Sequence, residues 1–326
     1  MKKSEQRVTN NATQKISSPI IFIVGPTAVG KSEVAVALAE MINGEIVSCD
    51  AMQVYREPNI LTNKPASSLI KKIPHHLINI VSVKEEFDVF RFNQLACEAI
   101  RGIREKKRLP IVTGGSGLYM QILLDGIFEG EQKDLQLRSS LILEAKKMGN
   151  QYLHDKLNKS DPEAAQNIHP NNVKRVVRAL EVCLTQQRPV MDVRRKRRGL
   201  WGSCPIFCFG LNRARKELYE AINARVEDMF TRGAVEEVRA LNGVALSQTA
   251  KGVIGVEEIQ GYLQGRYDVE RAKDLIKLHT RHLAKKQWTW FNKEKRLQWI
   301  MLKEGMMPRD VVLEIRRNME AKGNHV

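Results

Sequence analysis

The sequence predicts an α/β fold: a parallel sheet with flanking helices, interrupted by a helical insertion domain and followed by a helical C-terminal region. Three observations predict it. Short apolar segments alternate with amphipathic stretches of helix length, the pattern of βαβ units. The first such segment runs directly into a glycine-rich loop and then a helical pattern. The alternation stops over residues 128–200, where only helical periodicity remains.

Ile20–Val24 reads as the first strand, an unbroken apolar run suited to the buried middle of a parallel sheet. Gly25-Pro26-Thr27-Ala28-Val29-Gly30-Lys31-Ser32 follows and satisfies G-x-x-x-x-G-K-[ST] in full, with residues 33–41 as the helix after it. Gly25 and Gly30 let the backbone curl so that successive N–H groups aim at phosphate oxygens, and the helix end adds positive potential at the same spot. Lys31 brings a point charge to the outer phosphates, and the Ser32 hydroxyl can hold Mg²⁺. The core is therefore P-loop NTPase-like. The motif specifies a diphosphate or triphosphate, not what is done to it.

Residues 45–49 read as the second strand, ending at Asp50, and 76–81 as a third. An amphipathic helix over 91–105 leads to a fourth strand at 110–113, and 205–211 supplies a fifth. Right-handed crossovers place the loops after these strands, the phosphate loop and Asp50 included, along one edge of the sheet. The insertion carries helices over 134–148 and 171–183, and a third opened by Pro162 after Asp161, an N-cap followed by proline at the first helical position. The expected divisions are a disordered tail (1–18), the first part of the core (19–127), a basic, helical insertion (128–200), and the rest of the core with C-terminal helices (201–326). Residues 216–230 read as an amphipathic helix. In 271–286, Lys277, Arg281 and Lys285 lie along one face, opposite Ile276, Leu283 and Trp290. That basic stripe is expected to meet phosphates. Trp288, Trp290 and Phe291 could stack on bases, but core packing is the better default for aromatic side chains.

Composition narrows the partners. Among 326 residues, 53 Lys and Arg against 37 Asp and Glu leave a formal charge of +16, which points to a polyanion. The charge is clustered: residues 171–200 hold nine Lys or Arg and two acids, densest at Arg194-Arg195-Lys196-Arg197-Arg198. No apolar run approaches the roughly 20 residues needed to span a bilayer, so no membrane partner is expected. Five scattered cysteines suggest a reducing compartment, hence a cytoplasmic protein. Cys204 and Cys208, with no His or Cys cluster nearby, read as small hydrophobes rather than zinc ligands. The polar N-terminus lacks a secretory apolar segment, although Lys2, Lys3, Arg7 and Lys15 against Glu5 is also the composition of a short transit peptide.

The chemistry departs from that of a P-loop ATPase, which usually has a metal-binding acid at the end of a neighbouring strand. Here the fourth strand ends Thr113-Gly114-Gly115-Ser116-Gly117, without a carboxylate. The strand-end acid is Asp50. A phosphate cradle facing one carboxylate suits transfer of a group away from a diphosphate, with Asp50 taking a proton from the nucleophile. A base of this kind contributes about 10²–10⁴-fold. The plainer role for Asp50 is to stabilise its turn.

Several motifs in order resemble one family. They are GPTAVGKS (25–32), SCDAMQVYR (48–56), Lys64-Pro65, Ile73-Pro74-His75-His76-Leu77, GGSGLY (114–119), HPNNVKRVVRALEV (169–182), Leu218-Tyr219, Arg225-Val226 and HLAKKQWTWF (282–291). Over about residues 20–300 the chain resembles the tRNA dimethylallyltransferases, also called tRNA isopentenyltransferases, of bacterial type. The resemblance implies transfer of a dimethylallyl group from dimethylallyl diphosphate to N6 of the adenosine 3′ to the anticodon. Gly25 to Ser32 would hold the diphosphate with Mg²⁺, and Lys31 and Asp50 would be the catalytic pair. It implies contacts with the anticodon stem-loop of tRNA from Asp50, Ala51, Met52, Gln53 and Ser116, where threonine is usual. Further contacts would come from Arg138, from Lys174, Arg175, Val176, Val177 and Arg178, and from His282, Lys285, Lys286 and Gln287. A monomer is expected. Departures are Asn79 for a common aspartate, Glu57 and Leu61 each for a glycine, and a 251–257 segment without its usual aromatic and basic residues. No Cys/His cluster follows residue 300. Three other readings share parts of this pattern: an isopentenyltransferase acting on AMP, ADP or ATP, a P-loop small-molecule kinase, and an RNA-binding protein with a vestigial nucleotide site.

Overall fold

The computed structural model describes residues 18–127, 134–195 and 197–321. The expected N-terminal tail, Ser18 apart, and Lys196 of the basic run lie outside them. The chain runs β1 (Ile20–Val24), α1 (Lys31–Ile42), β2 (Gly44–Ser48), α2 (Ser67–Lys72), β3 (His75–His76), α3 (Val89–Glu105), β4 (Leu109–Gly114) and α4 (Gly117–Asp125). Then come α5 (Leu135–Met148), α6 (Asn150–Ser160), α7 (Pro162–Asn167), α8 (Val173–Gln186) and α9 (Val190–Arg195). It ends with β5 (Ile206–Arg213), α10 (Arg215–Thr231), α11 (Ala234–Ala240), α12 (Val256–Leu263), α13 (Val269–Phe291), β6 (Gln298–Leu302) and α14 (Pro308–Glu320). Two compact units result, one of Asp125–Gly199 and one of the residues on either side.

The larger unit is a parallel six-stranded sheet in the order β3-β2-β4-β1-β5-β6. β1 lies in its interior, and all five of its residues are fully buried. Ile20, Phe22 and Val24 pack with α3 and α4 on one face, and Ile21 and Ile23 with α1 and α14 on the other. Each such side chain contributes about 1.5–3 kcal/mol, so the strand that carries the phosphate loop is the best anchored in the sheet. At the far end of β2, buried Glu45 accepts from His76 at 2.7 Å and pairs with Arg108 at 2.9 Å, pinning β3 and the α3–β4 turn to the sheet.

Two expectations need correction. The third strand is not 76–81 but the two residues His75–His76, because Leu77 and Asn79 adopt left-handed backbone (φ 63° and 59°) that ends the ladder. Val81 makes only an isolated bridge, to Tyr55. The C-terminal region is not all helical: β6 pairs with β5 at the edge of the sheet.

The smaller unit packs α5 to α9 around fully buried Leu153, Leu157, Val176 and Leu180. Asp161 caps α7 through the Ala164 amide (2.9 Å), with Pro162 in the first turn, and its other oxygen accepts from the Met191 amide. That single carboxylate joins α7 to α9.

Candidate active site

β1 and β4 are neighbours, yet the connections leaving them run in opposite directions, one toward β2 and the other toward β5. Such divergence opens a crevice at the carboxyl ends of the strands. A cleft of about 310 Å³ lies there, lined by the phosphate loop, Asp50 to Gln53 and residues 113–116.

Glycine gives the phosphate loop its shape, and side chains brace it from outside. Gly25 and Gly30 have φ of 146° and 98°, and a Cβ on Gly25 would lie 2.3 Å from the Leu211 carbonyl oxygen. The Val29 side chain points into the core. Arg213 donates to the Val29 carbonyl at 3.0 Å, and Arg225 of α10 donates to the Thr27 hydroxyl at 3.0 Å. Lys31 folds back and donates to the Pro26 carbonyl at 2.7 Å. Burial pushes its amine down to about 8, the Arg225 charge acting the same way and Asp50 opposing both. Burial pushes the Arg225 guanidinium down as well, with Glu33 and then Asp50 opposing it. The cradle thus brings Lys31 and Arg225 together, and two carboxylates of the cleft, Glu33 and Asp50, act on both. Sequence reading had Arg225 only as part of the Arg225-Val226 motif and gave it no role; periodicity within its amphipathic helix carries no record of the phosphate loop it meets.

Asp50 holds its own turn: Oδ1 accepts from the Met52 and Gln53 amides at 2.9 and 3.4 Å. The turn role and a chemical role therefore coexist on one side chain. Gln53 accepts from the Ser48 hydroxyl and donates to the Thr62 and Asn63 carbonyls at 3.3 Å, so its carboxamide shapes the cleft wall as well as lining it. Beside Asp50, burial pushes the Cys49 thiol up, which keeps it neutral and excludes it as a nucleophile. Ser116 lines the cleft and donates its amide to the Cys49 carbonyl. The Thr113 hydroxyl is buried without a partner in the same cleft.

The loop over this wall is latched at several points. Buried Lys64 donates to the carbonyls of Tyr55 and Arg56 and to Asn59 Oδ1. The Glu237 carboxylate accepts from three successive amides, Asn59, Ile60 and Leu61. Glu57 accepts from the Ser82 hydroxyl and the Val83 amide, and Leu61 packs on Gly255. The two residues that stand for family glycines are thus used to fix the loop.

The end of α13 presses on the 114–117 turn. A Cβ on Gly115 would lie 2.3 Å from Gln287 Nε2, and one on Gly117 would lie 2.2 Å from the Trp290 ring. On Gly114 it would lie 2.1 Å from the Cys49 carbonyl oxygen. Gln287, expected at an RNA surface, instead turns inward: it accepts from the Thr27 amide and donates to the Gly115 carbonyl. His282, Lys285 and Lys286 of the same helix are exposed. The expected basic stripe is shorter than its spacing implied, because α10 packs along it. Lys277 pairs with Glu227 at 2.5 Å, and Arg281 donates to Asn223 and lies over the Tyr219 ring. Leu283, expected in the core, is 37% exposed and lines the cleft. The aromatic residues pack: Phe291 is buried, and Trp288 lies 4.8 Å from Trp299.

In the smaller unit, Lys174 and Arg175 are exposed on α8. Val176 and Val177 are not surface residues. They face the unit's core, at 0% and 4% exposure, because the apolar stripe of the helix passes through them. Arg138 and Arg178 both pair with buried Glu181, at 2.7 and 2.6 Å. Burial pushes that carboxyl up, but the hydrogen bonds from Arg138 and Arg178 outweigh it and leave it below the usual range. Part of their charge is thereby spent inside the unit.

A phosphate cradle that faces a carboxylate across a cleft, with a hydroxyl where a metal-binding acid would end β4, belongs to a P-loop-fold transferase. Comparison with known proteins makes this particular. The IPP transferase family model matches residues 53–294. A tRNA dimethylallyltransferase of Alkaliphilus oremlandii is 42% identical over 87% of this chain and 91% of its own, and one of Alkaliphilus metalliredigens 41% over 94% and 98%. The crystal structure of a full-length tRNA isopentenylpyrophosphate transferase from Bacillus halodurans superposes with a TM-score of 0.67 at 35% identity, over 94% of this chain and 98% of that one. That of a eukaryotic dimethylallyltransferase acting on tRNA gives 0.80 at 25% identity, over 95% and 81%. The chain belongs to the IPP transferase family.

Proposed function

We propose that the enzyme transfers the dimethylallyl group of dimethylallyl diphosphate to N6 of the adenosine 3′ to the anticodon of tRNA. The observation that carries this reading is the cleft itself, where Lys31 and Arg225 stand by the phosphate loop, Asp50 acts on both, and Thr113 replaces an acid at the end of β4. In the reaction the C1–O bond to the diphosphate breaks and a bond from C1 to N6 forms. One N6 proton passes to Asp50, and pyrophosphate leaves. An adenine amine is a poor nucleophile because its lone pair is delocalised into the ring, so orientation and proton acceptance by Asp50 both matter. Lys31, Arg225 and the free loop amides stabilise charge that grows on the leaving diphosphate.

The donor set suits Mg²⁺, which takes oxygen ligands and keeps several waters. Ser32 and the partnerless Thr113 hydroxyl are neutral oxygens in the same cleft, with the Glu33 and Asp50 carboxylates also on its lining. Ser32 would hold the ion, which when bound adds positive charge at the leaving group. The formal charge of +16, with exposed Lys174, Arg175, His282, Lys285 and Lys286, supports an RNA acceptor over a free nucleotide.

The test offers labelled dimethylallyl diphosphate to an unmodified anticodon stem-loop and, separately, to AMP. Label on the stem-loop alone is expected. Label on AMP alone, or on neither with Mg²⁺ present, overturns the reading.

A further inference from the structure

We propose that Gln287 is a positioning residue whose carboxamide holds the phosphate loop and the 114–117 turn at one separation, and so sets the reach from donor diphosphate to acceptor. The inference deepens the prenyl-transfer reading above and rests on it.

The ladder between β1 and β4 ends at Val24 and Gly114. Thr27 and Gly115 lie past that end, on the two loops that must face the reacting atoms. Between them stands Gln287. Its Oε1 accepts from the Thr27 amide at 2.8 Å, and its Nε2 donates to the Gly115 carbonyl at 3.0 Å. Both ends of one planar amide are engaged, so the gap is set by a rigid group rather than by a rotatable chain. The brace continues to the acceptor side. The Ser116 amide donates to the Cys49 carbonyl at 3.2 Å, the Cys49 amide donates to the Thr113 carbonyl at 2.7 Å, and Asp50 is the next residue. The helix that carries Gln287 is itself fixed, with Trp290 against Gly117 and Phe291 buried edge-on to Trp290. One consequence concerns the donor: the Thr27 amide is occupied, so Thr27 reaches a diphosphate through its hydroxyl, which Arg225 orients.

Reacting atoms must approach to roughly 3–3.5 Å, and a misplacement of about 1 Å costs on the order of 10²-fold in rate. Two variants of the full chain test the brace. Gln287→Met keeps the volume and loses both hydrogen bonds; Gln287→Ala loses volume as well. With donor and stem-loop both saturating, each is expected to transfer about 10²-fold more slowly, with stem-loop affinity within twofold of wild type. Amide hydrogen exchange should rise together in the phosphate loop and the 114–117 turn and stay unchanged elsewhere in the sheet. A saturated rate within threefold of wild type overturns the proposal. So does a loss that appears only as weaker stem-loop binding, which would make Gln287 the RNA contact its neighbours suggest. Collapse of both variants overturns it too, since Gln287 would then be a strut of the fold. If the wild type transfers nothing to the stem-loop, the prenyl reading fails, and the exchange experiment still decides whether Gln287 braces the two loops.

Discussion

Replacing Asp50 by asparagine separates two jobs done by one side chain. Oδ1 holds the turn through the Met52 and Gln53 amides at 2.9 and 3.4 Å. Asparagine keeps a carbonyl oxygen there, so bonds worth about 1 kcal/mol each survive. What it loses is the ability to take the N6 proton and the negative charge felt by Lys31 and Arg225. Transfer at saturation is therefore expected to fall by about 10²–10⁴-fold, with stem-loop affinity and melting temperature close to wild type. There is a second signature. The Asp50 charge holds the Lys31 amine up against burial and Arg225. Without it the amine loses its proton at lower pH, and the alkaline limb of donor binding moves down with it. Single-turnover transfer to a stem-loop, paired with filter binding, reads both effects. A variant whose rate stays within threefold of wild type, or whose rate loss tracks a loss of stem-loop binding, would refute the general-base role.

Other expectations follow from the same geometry. Because the Lys31 amine titrates at about 8 in the free enzyme, kcat/KM for the donor should decline as pH rises through that value; Arg225→Gln removes a like charge and should move the decline upward. A donor profile flat to pH 9 would show that Lys31 stays charged. Gly114→Ala drives a Cβ to 2.1 Å from the Cys49 carbonyl oxygen, so the end of β4 and the Asp50 turn must part, and transfer should fall by at least about 10²-fold; an active alanine variant would show the turn to be pliant. Arg175→Gln should lower the salt slope of stem-loop binding by about one unit. Arg178→Gln, which removes a charge already paired with Glu181, should lower it less; equal slopes would show that the pair opens on RNA.

Local features of the site were legible where one short segment carried the whole signal. The phosphate loop is eight consecutive residues between a strand and a helix, and its backbone takes the shape those residues imply. Asp50 was legible as a strand-end acid, and α7 from its Asp161-Pro162 start. What was missed depends on residues far apart in the chain. Gln287 meets Thr27 across 260 positions and Arg225 meets it across 198. The stripe on α13 was correctly spaced, but Glu227 and Asn223 on α10 claim its charges, and helical periodicity carries no record of a neighbouring helix. β6 is a short edge strand among charged residues, with too few positions to show alternation. The third strand read too long because left-handed Leu77 and Asn79 leave no mark on the apolar pattern.

The two glycine-rich turns of the cleft look alike on paper and differ in use. In the first, Gly25 and Gly30 give the backbone a positive-φ path for a ligand, and Gly25 also leaves room for the Leu211 carbonyl. In the second, each glycine is a vacancy cut to the shape of one neighbour: Cys49 at 114, Gln287 at 115 and Trp290 at 117. Positions 115 and 287, and likewise 117 and 290, are therefore not independent variables. Among relatives, a side chain at 115 should coincide with a shorter residue at 287, and one at 117 with a smaller residue than tryptophan at 290. A substitution scan that changes one member of either pair will record an apparent requirement for glycine that belongs to its partner.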